Sequence, residues 1–485
     1  KVLYILKIGG FYMFLFIAGI IILILGYIIY GKIVDKHFGV DDSNETPATR
    51  LQDGIDFMPM SWPRIFLIQL LNIAGLGPIF GAIQGALFGP AAFIWIAFGS
   101  IFAGGVHDYF SGMLSLRHDG KSISEIVGIY LGQGARQVMR VFSVILLILV
   151  GTVFMTGPAG LLNNLELFGI NNLQVWILIV LCYYFLATVL PIDKLIGRLY
   201  PIFGLSLLIM AIGIGTSIVI GDYHLPAFTI KSLHPTGLPI WAFLFTTIAC
   251  GAISGFHATQ SPMMARCITK ESYGRRIFYG SMIAEGIIAM IWAAAGMVFF
   301  DGIPGLQDAL VNGGGPAGIV YTVSFSLMGP IGGLLAMLGV IACPITSGDT
   351  AFRSARLTIA DAMNFEQGPI GKRLILSVPL FVIGFILSKI DFNIVWRYFA
   401  WSNQTLAMIV LWTASAYLVK EGKSHWMTTL PATFMTAVSI TYLMQAPEGF
   451  KLPTTIAYPI GLIAAIAAIG FFLIKANNRK TAVTK

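Results

Sequence analysis

Two polar, glycine-containing stretches interrupt long apolar segments of this chain, and their residue types suit the binding of charged groups. The interrupting residues are Asn72, Ala74, Gly75, Gly77 and Pro78 in the first stretch and Ser254, Gly255, Phe256, His257 and Gln260 in the second. A helix broken inside a membrane exposes backbone amides that attract carboxylates and carbonyls that attract cations. We therefore predict that these residues bind a substrate, and that carbonyls near Ala74 bind a coupling ion.

Both stretches also permit a purely structural interpretation. Glycines recur at every fourth residue from 77 to 89, a spacing that lets two helices approach closely. Such packing does not explain Pro78, which lacks an amide hydrogen and disrupts a continuous helix. The polar residues of the second stretch equally suit an interhelical hydrogen-bond cluster. A membrane histidine such as His257 either titrates or serves as a structural donor.

Three further polar groups lie within or beside apolar segments. They are Thr346, Ser347, Asp349 and Thr350, then Asp108 and Glu285, and finally Asn403 and Gln404. The first group offers oxygen atoms to a hard cation or a proton, although Asp349 also has the spacing to pair with Arg353. Acids inside a membrane are candidates for proton coupling, unless solvent reaches Asp108 from the nearby face. The two amides either line a cavity or tie helices together.

The composition predicts an all-α membrane protein that crosses the bilayer many times. Hydrophobic residues make up 57% of the chain and charged residues only 11%, against roughly 25% charged residues in soluble chains. Apolar segments of about 20 residues, the length that spans a bilayer, recur along the chain. We identify thirteen, near residues 10–30, 65–88, 90–116, 137–160, 173–190, 195–220, 239–262, 275–300, 319–351, 373–389, 395–418, 426–444 and 454–474.

The distribution of basic residues predicts the orientation of these segments. When loops are assigned alternately to two sides, one side carries 24 of the 30 Lys and Arg residues. Basic loops stay in the cytoplasm, which places the C-terminus inside and the N-terminus outside. The two interrupted segments then cross in opposite directions, and each begins a unit of five segments, 65–220 and 239–418. Such units form an inverted repeat with a binding site near the bilayer midplane.

The remaining residues flank this core. Residues 1–64 supply one segment and a cytoplasmic loop, and residues 419–485 supply two segments and a cytoplasmic tail. The positive charge is therefore a topology signal, and we expect no nucleic-acid partner. Motifs of nucleotide-binding loops, zinc proteases and serine hydrolases are absent from the sequence, and the four cysteines lack metal-binding spacing. We expect neither an enzyme nor a cofactor or metal, so an ion gradient would have to drive uptake.

At these motifs the chain resembles the carbon starvation protein A (CstA) family. The resemblance rests on Gly77 to Ile79, Gly104 to Asp108, Arg117 to Gly120, Ala249 to His257, on Thr346, Asp349, Arg353, Arg356 and Asp361, and on Trp396, Phe399, Asn403 and Gln404. It implies a bacterial inner-membrane transporter that takes up peptides or pyruvate, with proton coupling for pyruvate. It also implies a relationship to APC-type transporters with a LeuT-like core of five plus five helices.

Our hypothesis is a secondary active importer that alternates access around the two interrupted helices. Its substrate is a small carboxylate-bearing nutrient, and its coupling ion is a proton, with sodium as the alternative. Two other functions fit a membrane protein of this size. One is a passive channel or facilitator, which never concentrates its solute, and the other is a membrane sensor that binds a nutrient without moving it.

Overall fold

The fold is built from α-helices joined by short connections. A computed structural model describes residues 13–54, 56–189 and 193–483, and it contains no strand within these ranges. The predicted beginning of the first segment at residue 10 lies outside them. The helices are α1 (Phe14–Phe38), α2 (Pro47–Arg50), α3 (Trp62–Ile73), α4 (Gly77–Gly85), α5 (Ala91–Gly99), α6 (Gly105–Arg117), α7 (Ile123–Leu131), α8 (Gln133–Asn164), α9 (Leu173–Val189), α10 (Asp193–Ile220), α11 (Phe245–Thr247), α12 (Gly255–Ala265), α13 (Gly280–Phe299), α14 (Ile303–Asn312), α15 (Gly315–Met363), α16 (Ile370–Leu387), α17 (Phe392–Lys420), α18 (Trp426–Gln445) and α19 (Thr454–Val483).

Three π-helical turns and three short 3₁₀ turns extend these helices. The π turns are Ser100–Gly104, Ile240–Leu244 and Arg275–Tyr279, and the 3₁₀ turns are Ala86–Phe88, Leu167–Gly169 and Glu271–Tyr273. Within the described ranges, eight helices are long and apolar enough to cross a membrane, and the bent pair α3–α4 makes nine. The prediction of an all-α, multiply spanning membrane protein is therefore confirmed, whereas the count of thirteen crossings stays a prediction.

Both predicted interruptions are real breaks in the helical backbone. The pair α3 and α4, extended to Phe88, is bent by 49°. Pro78 lies in the first turn of α4, where its missing amide hydrogen leaves no helical acceptor unpaired. The second break separates α11 from α12, and Gly251 within it has a φ of +92°, which only glycine adopts without strain. Backbone groups are thus released from the helical ladder at two places.

The glycine spacing in α4 packs that helix against the second break. A Cβ on Gly77 would lie 2.2 Å from Cys250 Cβ, and a Cβ on Gly85 would lie 2.2 Å from Ile248 Cγ1. Gly81 faces the carbonyl oxygen of Thr247, which a Cβ would approach to 3.0 Å. The structural and the functional interpretations of this segment are therefore compatible, because the same glycines bring the two breaks into contact.

One further break was not predicted. The apolar segment 319–351 is part of α15, in which Gly329 has a φ of +69° and is followed by Pro330. The backbone bends there, so the helical arm before Gly329 is separate from the long arm after it. That long arm continues to Met363, well beyond the predicted end of the segment, and it packs along α8 and α10.

Gly104 offers a direct test of how tightly the second break is packed. A Cβ on Gly104 would lie 2.2 Å from the backbone oxygen of Ala252, which cannot rotate away. We predict that Gly104→Ala destabilises the fold by about 1–3 kcal/mol, the usual cost of overpacking. Gly470→Ala in α19 is the control, since no atom lies within 4 Å of its added methyl group. Thermal unfolding in detergent should show a lower Tm for the first variant alone, and equal Tm values would contradict the packing.

Candidate functional site

The released backbone groups of the second break are held by the side chains of α17. Asn403 Oδ1 accepts hydrogen bonds from the Phe256 amide at 2.6 Å and from Ser254 Oγ at 3.2 Å, which caps the N-terminus of α12. Gln404 Nε2 donates to the Phe245 carbonyl at the other side of the break, and Thr246 Oγ1 donates to Gln404 Oε1 at 3.3 Å. The two adjacent amides therefore tie both ends of the break to one helix.

Gly251, in the middle of the second break, is held on both of its backbone groups. Its amide donates to Glu285 Oε1 at 3.0 Å, and its carbonyl accepts from Ser100 Oγ at 2.9 Å. The Ile248 carbonyl accepts from Trp95 Nε1 at 2.9 Å. Because all these groups are buried, each bond removes a desolvation cost that the break would otherwise impose.

Four ionisable side chains form a continuous buried row beside this break, which we call the acid–histidine chain (His107, Asp108, His257 and Glu285). All four side chains have 0% exposure. Asp108 accepts from His107 Nδ1 at 2.7 Å on one oxygen and from His257 Nδ1 at 2.8 Å on the other. The chain joins α6, α12 and α13, so it connects the break to two neighbouring helices.

The contact between His257 and Glu285 is the longest one in the acid–histidine chain. His257 Nε2 lies 3.3 Å from Glu285 Oε2, close enough for an ion pair, yet the two atoms do not meet hydrogen-bond geometry. One carboxylate therefore contacts both the histidine ring and the Gly251 amide of the break. A change in charge on this carboxylate would act directly on the backbone of the second break.

The first break differs from the second because its amides are not filled by side chains. Among the described residues, the backbone N–H groups of Gly75, Leu76 and Gly77 donate no hydrogen bond. The three residues are buried and stand at the N-terminus of α4. Consecutive free amides at a helix N-terminus form a favourable site for an anion.

The carbonyl groups that end α3 face α15. Cys343 Sγ lies 2.8 Å from the Leu71 oxygen and 3.8 Å from the Ala74 oxygen. Ser347 Oγ lies 3.4 Å from the Leu71 oxygen and 3.5 Å from the Asn72 oxygen. Ser347 therefore lies beside carbonyls of the first break, and its predicted part in a coupling-ion site stays a prediction.

The other members of that predicted group lie apart from the break carbonyls. The hydroxyls of Thr346 and Thr350 donate to carbonyls of their own helix, at 2.9 and 3.0 Å. Asp349 accepts from Arg353 Nη2 at 3.1 Å, which is the ion pair that their spacing allows. The structure thus places Ser347 at the break and gives the other three residues local partners.

The remaining predicted residues lie around the two breaks. A Cβ on Gly251 would lie 3.5 Å from Pro78 Cα, and a Cβ on Gly255 would lie 2.3 Å from the Asn403 carbonyl oxygen, so α17 leaves no room for a side chain at the N-terminus of α12. Gln260 Nε2 donates to Thr259 Oγ1 at 3.0 Å, while its buried Oε1 has no partner within the described residues. Cys250, Cys343 and His107 were not predicted as site residues. His107 directly precedes Asp108, and Cys343 lies one turn before Ser347, so both positions carried a signal.

A cavity of about 230 Å³ lies beside α4. The cavity is lined by Phe80, Thr156, Pro316 and Asn393, among other residues of α8, α15 and α17. Phe80 packs against Trp396 with ring centroids 6.0 Å apart. The rings of Phe154 and Phe256 are 5.9 Å apart. Phe80 of α4, the helix that follows the first break, therefore forms part of the cavity wall.

A group that could ligate a metal lies in the same region. Cys250, His257 and Glu285 offer a sulfur, a nitrogen and an oxygen atom within 4.8 Å of one another. Cys250 Sγ already accepts from Asn403 Nδ2 at 3.1 Å, and the ring of His257 lies between two carboxylates. Because His257 Nδ1 donates to Asp108, Nε2 is the ring nitrogen that would remain for a metal. The expectation that the chain uses no metal stays a prediction.

Sequence comparison identifies the family. The profile of carbon starvation protein CstA matches residues 12–165, 159–303 and 315–442, which is most of the chain. The chain belongs to the CstA family. This membership confirms the resemblance carried by the motifs around the two breaks, and it identifies the chain as a membrane transporter and not an enzyme.

Relatives of this CstA-family chain occur in several bacteria. An uncharacterized membrane protein of Haemophilus influenzae is 43% identical, over 60% of this chain and 92% of the relative. The peptide transporter CstA of Campylobacter jejuni is 25% identical, over 96% of this chain and 85% of the relative. The peptide transporter CstA of Escherichia coli is 24% identical, over 88% and 80% of the two chains.

Solved transporter structures share the fold. MhsT in complex with L-phenylalanine superposes with a TM-score of 0.55 at 14% identity, covering 89% of this chain and all of MhsT. A manganese transporter from Eremococcus coleocola gives a TM-score of 0.54 at 13% identity, covering 86% of this chain and 95% of the transporter. At such identities the likeness concerns the fold alone.

The cap on α12 can be tested with one substitution. Asn403→Ala removes the acceptor of the Phe256 amide and of Ser254 Oγ, which are both buried. We therefore predict that the free energy of unfolding falls by about 1–3 kcal/mol. Asn393→Ala is the control, because that side chain is exposed at the start of α17. Thermal unfolding should lower the Tm of the first variant only. Equal Tm values would show that the cap contributes nothing to stability.

Proposed function

We propose that this transporter is a secondary active importer of a small carboxylate-bearing nutrient, a peptide or pyruvate, driven by protons. The relatives from Campylobacter jejuni and Escherichia coli are named peptide transporters, which supports the peptide side of this proposal. The proposed substrate site lies at the junction of the two breaks. Alternating access around it carries the substrate across the membrane.

We assign the binding of the substrate carboxylate to the amides of the first break that donate no hydrogen bond. Glu285 and Asn403 already occupy the amides of Gly251 and Phe256 in the second break. The amides of Gly75, Leu76 and Gly77 have no such acceptor among the described residues. A carboxylate from the substrate would supply it, in the way that Glu285 supplies one at the second break. A charge-assisted bond to several amides suits an anion in a site that excludes water.

The acid–histidine chain supports the proton as the coupling ion. Rows of acids and histidines inside membranes commonly relay protons, because their charges are costly unless a function retains them. Protonation of Glu285 would turn its charge-assisted bond with the Gly251 amide into a weaker neutral bond. The second break would then be free to change its shape. In this mechanism, Asp108 keeps His257 oriented through its Nδ1, and Glu285 transmits the proton's arrival to the backbone.

The surroundings of the first-break carbonyls favour a proton over sodium. A sodium ion is a hard cation and prefers oxygen ligands, whereas the sulfur of Cys343 lies 2.8 Å from the Leu71 carbonyl oxygen. A thiol is a poor ligand for a hard cation. The predicted oxygen groups of Thr346 and Thr350 are also taken up by bonds within α15. We therefore assign coupling to Asp108, His257 and Glu285.

The proposed topology follows from the charge distribution and the helix order. It has thirteen crossings, with one helix before and two after a core of two inverted five-helix units of LeuT type, residues 65–220 and 239–418. The N-terminus is outside and the C-terminus is in the cytoplasm of a bacterial inner membrane. The fold shared with the transporter MhsT supports this arrangement.

Counterflow in proteoliposomes tests the function. Vesicles loaded with unlabelled substrate should accumulate labelled pyruvate or a labelled dipeptide, and an inwardly directed proton gradient should then drive net accumulation above equilibrium. A channel would carry the label only to equilibrium, and a sensor would bind it without transport. Transport of neither compound, with or without the gradient, would refute the proposal.

A substrate analogue tests the carboxylate site. Replacing the carboxylate of the transported compound by a carboxamide removes the charge but nearly preserves the shape. We predict that the amide competes roughly tenfold more weakly or worse, since charge-assisted hydrogen bonds are about twice as strong as neutral ones. Competition for uptake of the labelled substrate measures this difference. Equal inhibition by acid and amide would contradict binding of the carboxylate by the first-break amides.

Two acid substitutions test the coupling. We predict that Asp108→Asn and Glu285→Gln abolish proton-driven accumulation, because the neutral side chains cannot take up and release a proton. Counterflow, which needs no net proton transfer, should persist in at least one of them. Asp119→Asn is the matched control, since this exposed acid does not belong to the acid–histidine chain and asparagine tolerates its φ of +59°. Accumulation at the wild-type level in both acid variants would contradict the coupling scheme.

A further inference from the structure

We propose that Arg117 is the positioning residue of an inner gate, which closes the path from the two breaks to the side of the membrane where α6 ends. This inference rests on the proposed transport function, since a gate has a purpose only in a protein that alternates access. The gate consists of Arg117, Glu271, the end of α17 and a segment that we call the strap (residues 38–46). The strap begins with the last residue of α1 and continues into the connection after it.

Arg117 joins four parts of the protein. Its Nε and Nη2 donate to the two oxygens of Glu271, at 3.0 and 2.9 Å. Its Nη1 donates to the Tyr417 hydroxyl in α17 at 2.8 Å, and its Nη2 also donates to the Gly39 carbonyl at 2.6 Å. The guanidinium lies over the Phe38 ring, 4.1 Å from its centroid. A planar fork can make all these contacts at once, and a lysine cannot.

Glu271 is enclosed by the strap as well as by Arg117. The Asp41 amide donates to Glu271 Oε2 at 3.0 Å, and Asn44 Nδ2 donates to Oε1 at 3.3 Å. Asp42 accepts from the amide and the hydroxyl of Ser272, at 2.9 and 2.7 Å. The Glu271 side chain is only 3% exposed, so this pair is far less screened than a surface ion pair.

The strap is also fixed to the end of α17. Lys423 Nζ donates to the Phe38 carbonyl at 2.5 Å, and the Phe38 ring stacks on Tyr417 with centroids 5.6 Å apart. His37 Nε2 lies 2.6 Å from the Ser424 carbonyl oxygen. The strap therefore contacts three parts at one end of the molecule, namely α6, the end of α17 and the connection that follows α12.

The gate lies at the ends of both broken helices on this side of the protein. The Met60 amide, just before α3, donates to the Cys267 carbonyl, just after α12, at 3.1 Å. Since α3 and α12 are the halves of the two breaks on this side, their ends must separate for a substrate to leave here. Glu271 lies four residues beyond Cys267. Release of Glu271 by Arg117 would free the connection that keeps these ends together.

Cys267 is a natural reporter of that separation. Its side chain is buried, and burial raises the pKa of the thiol, so it reacts slowly while the gate is closed. Cys250 and Cys343 are buried deeper in the core, and Cys182 is exposed on the outer surface of the helices. A protein with Cys182→Ser therefore reports on the gate through Cys267.

The experiment measures maleimide labelling of Cys267 by peptide mass spectrometry, in full-length protein in sealed vesicles of each orientation. We expect Arg117→Gln and the isosteric Glu271→Gln to raise its labelling rate by roughly tenfold, from the side where α6 ends, because a partly buried bidentate pair is lost. Arg117→Lys should restore part of the closure. The same variants should bind substrate more weakly from the opposite side, since fewer molecules remain open to that side.

The matched control is Arg50→Gln, which removes an exposed arginine paired with Asp119 at the same end of the protein. It should leave labelling at the wild-type rate. A lower Tm in both gate variants, with unchanged labelling of Cys267 and unchanged substrate affinity, would overturn the proposal and leave Arg117 a structural role. If the gate variants label faster at Cys267 but the wild-type protein transports neither pyruvate nor peptide, the gate proposal is supported and the proposed transport function is refuted.

Discussion

The membrane interior offers no water, so every backbone group freed by a broken helix must find a partner within the protein. At the second break the partners are Asn403, Gln404 and Glu285, which hold the Phe256 amide, the Phe245 carbonyl and the Gly251 amide. At the first break the carbonyls face Cys343 and Ser347, while three amides have no protein acceptor among the described residues. This asymmetry between two otherwise similar breaks is the feature on which our account of the site depends.

Close packing and charge are consequences of the same requirement. Glycines in α4 let Cys250 and Gly251 approach the first break, so the two breaks form one junction. Glu285 satisfies a backbone amide there with a carboxylate, and that buried charge in turn needs the imidazole of His257 and, through it, Asp108. The structural demand at the break and the proposed proton coupling therefore involve the same side chains. In a transporter, a proton that neutralises Glu285 would therefore also change the backbone contacts of the second break.

Much of the fold could be predicted from the sequence because the bilayer imposes a strong pattern. The two breaks were predictable from Pro78 and from the polar residues around His257, and the acids Asp108 and Glu285 from their apolar surroundings. Their contacts were not predictable, since nothing in the sequence shows that His257 lies between those acids or that Asn403 caps α12. Asp349 was grouped with Ser347 by proximity in sequence, yet the two point in different directions from one helix. The bend at Gly329 also escaped, because a single Gly-Pro pair in an apolar segment carries little signal.

A structure with bound substrate tests the central claim most directly. Cryo-electron microscopy of the protein with its transported carboxylate should show the carboxylate oxygens about 2.7–3.2 Å from the amide nitrogens of Gly75, Leu76 and Gly77, the range of ordinary hydrogen bonds. Glu285 should still contact the second break. A carboxylate bound instead to the Phe256 amide in place of Asn403, or held only in the cavity beside Phe80, would contradict the assignment of the first break as the substrate site.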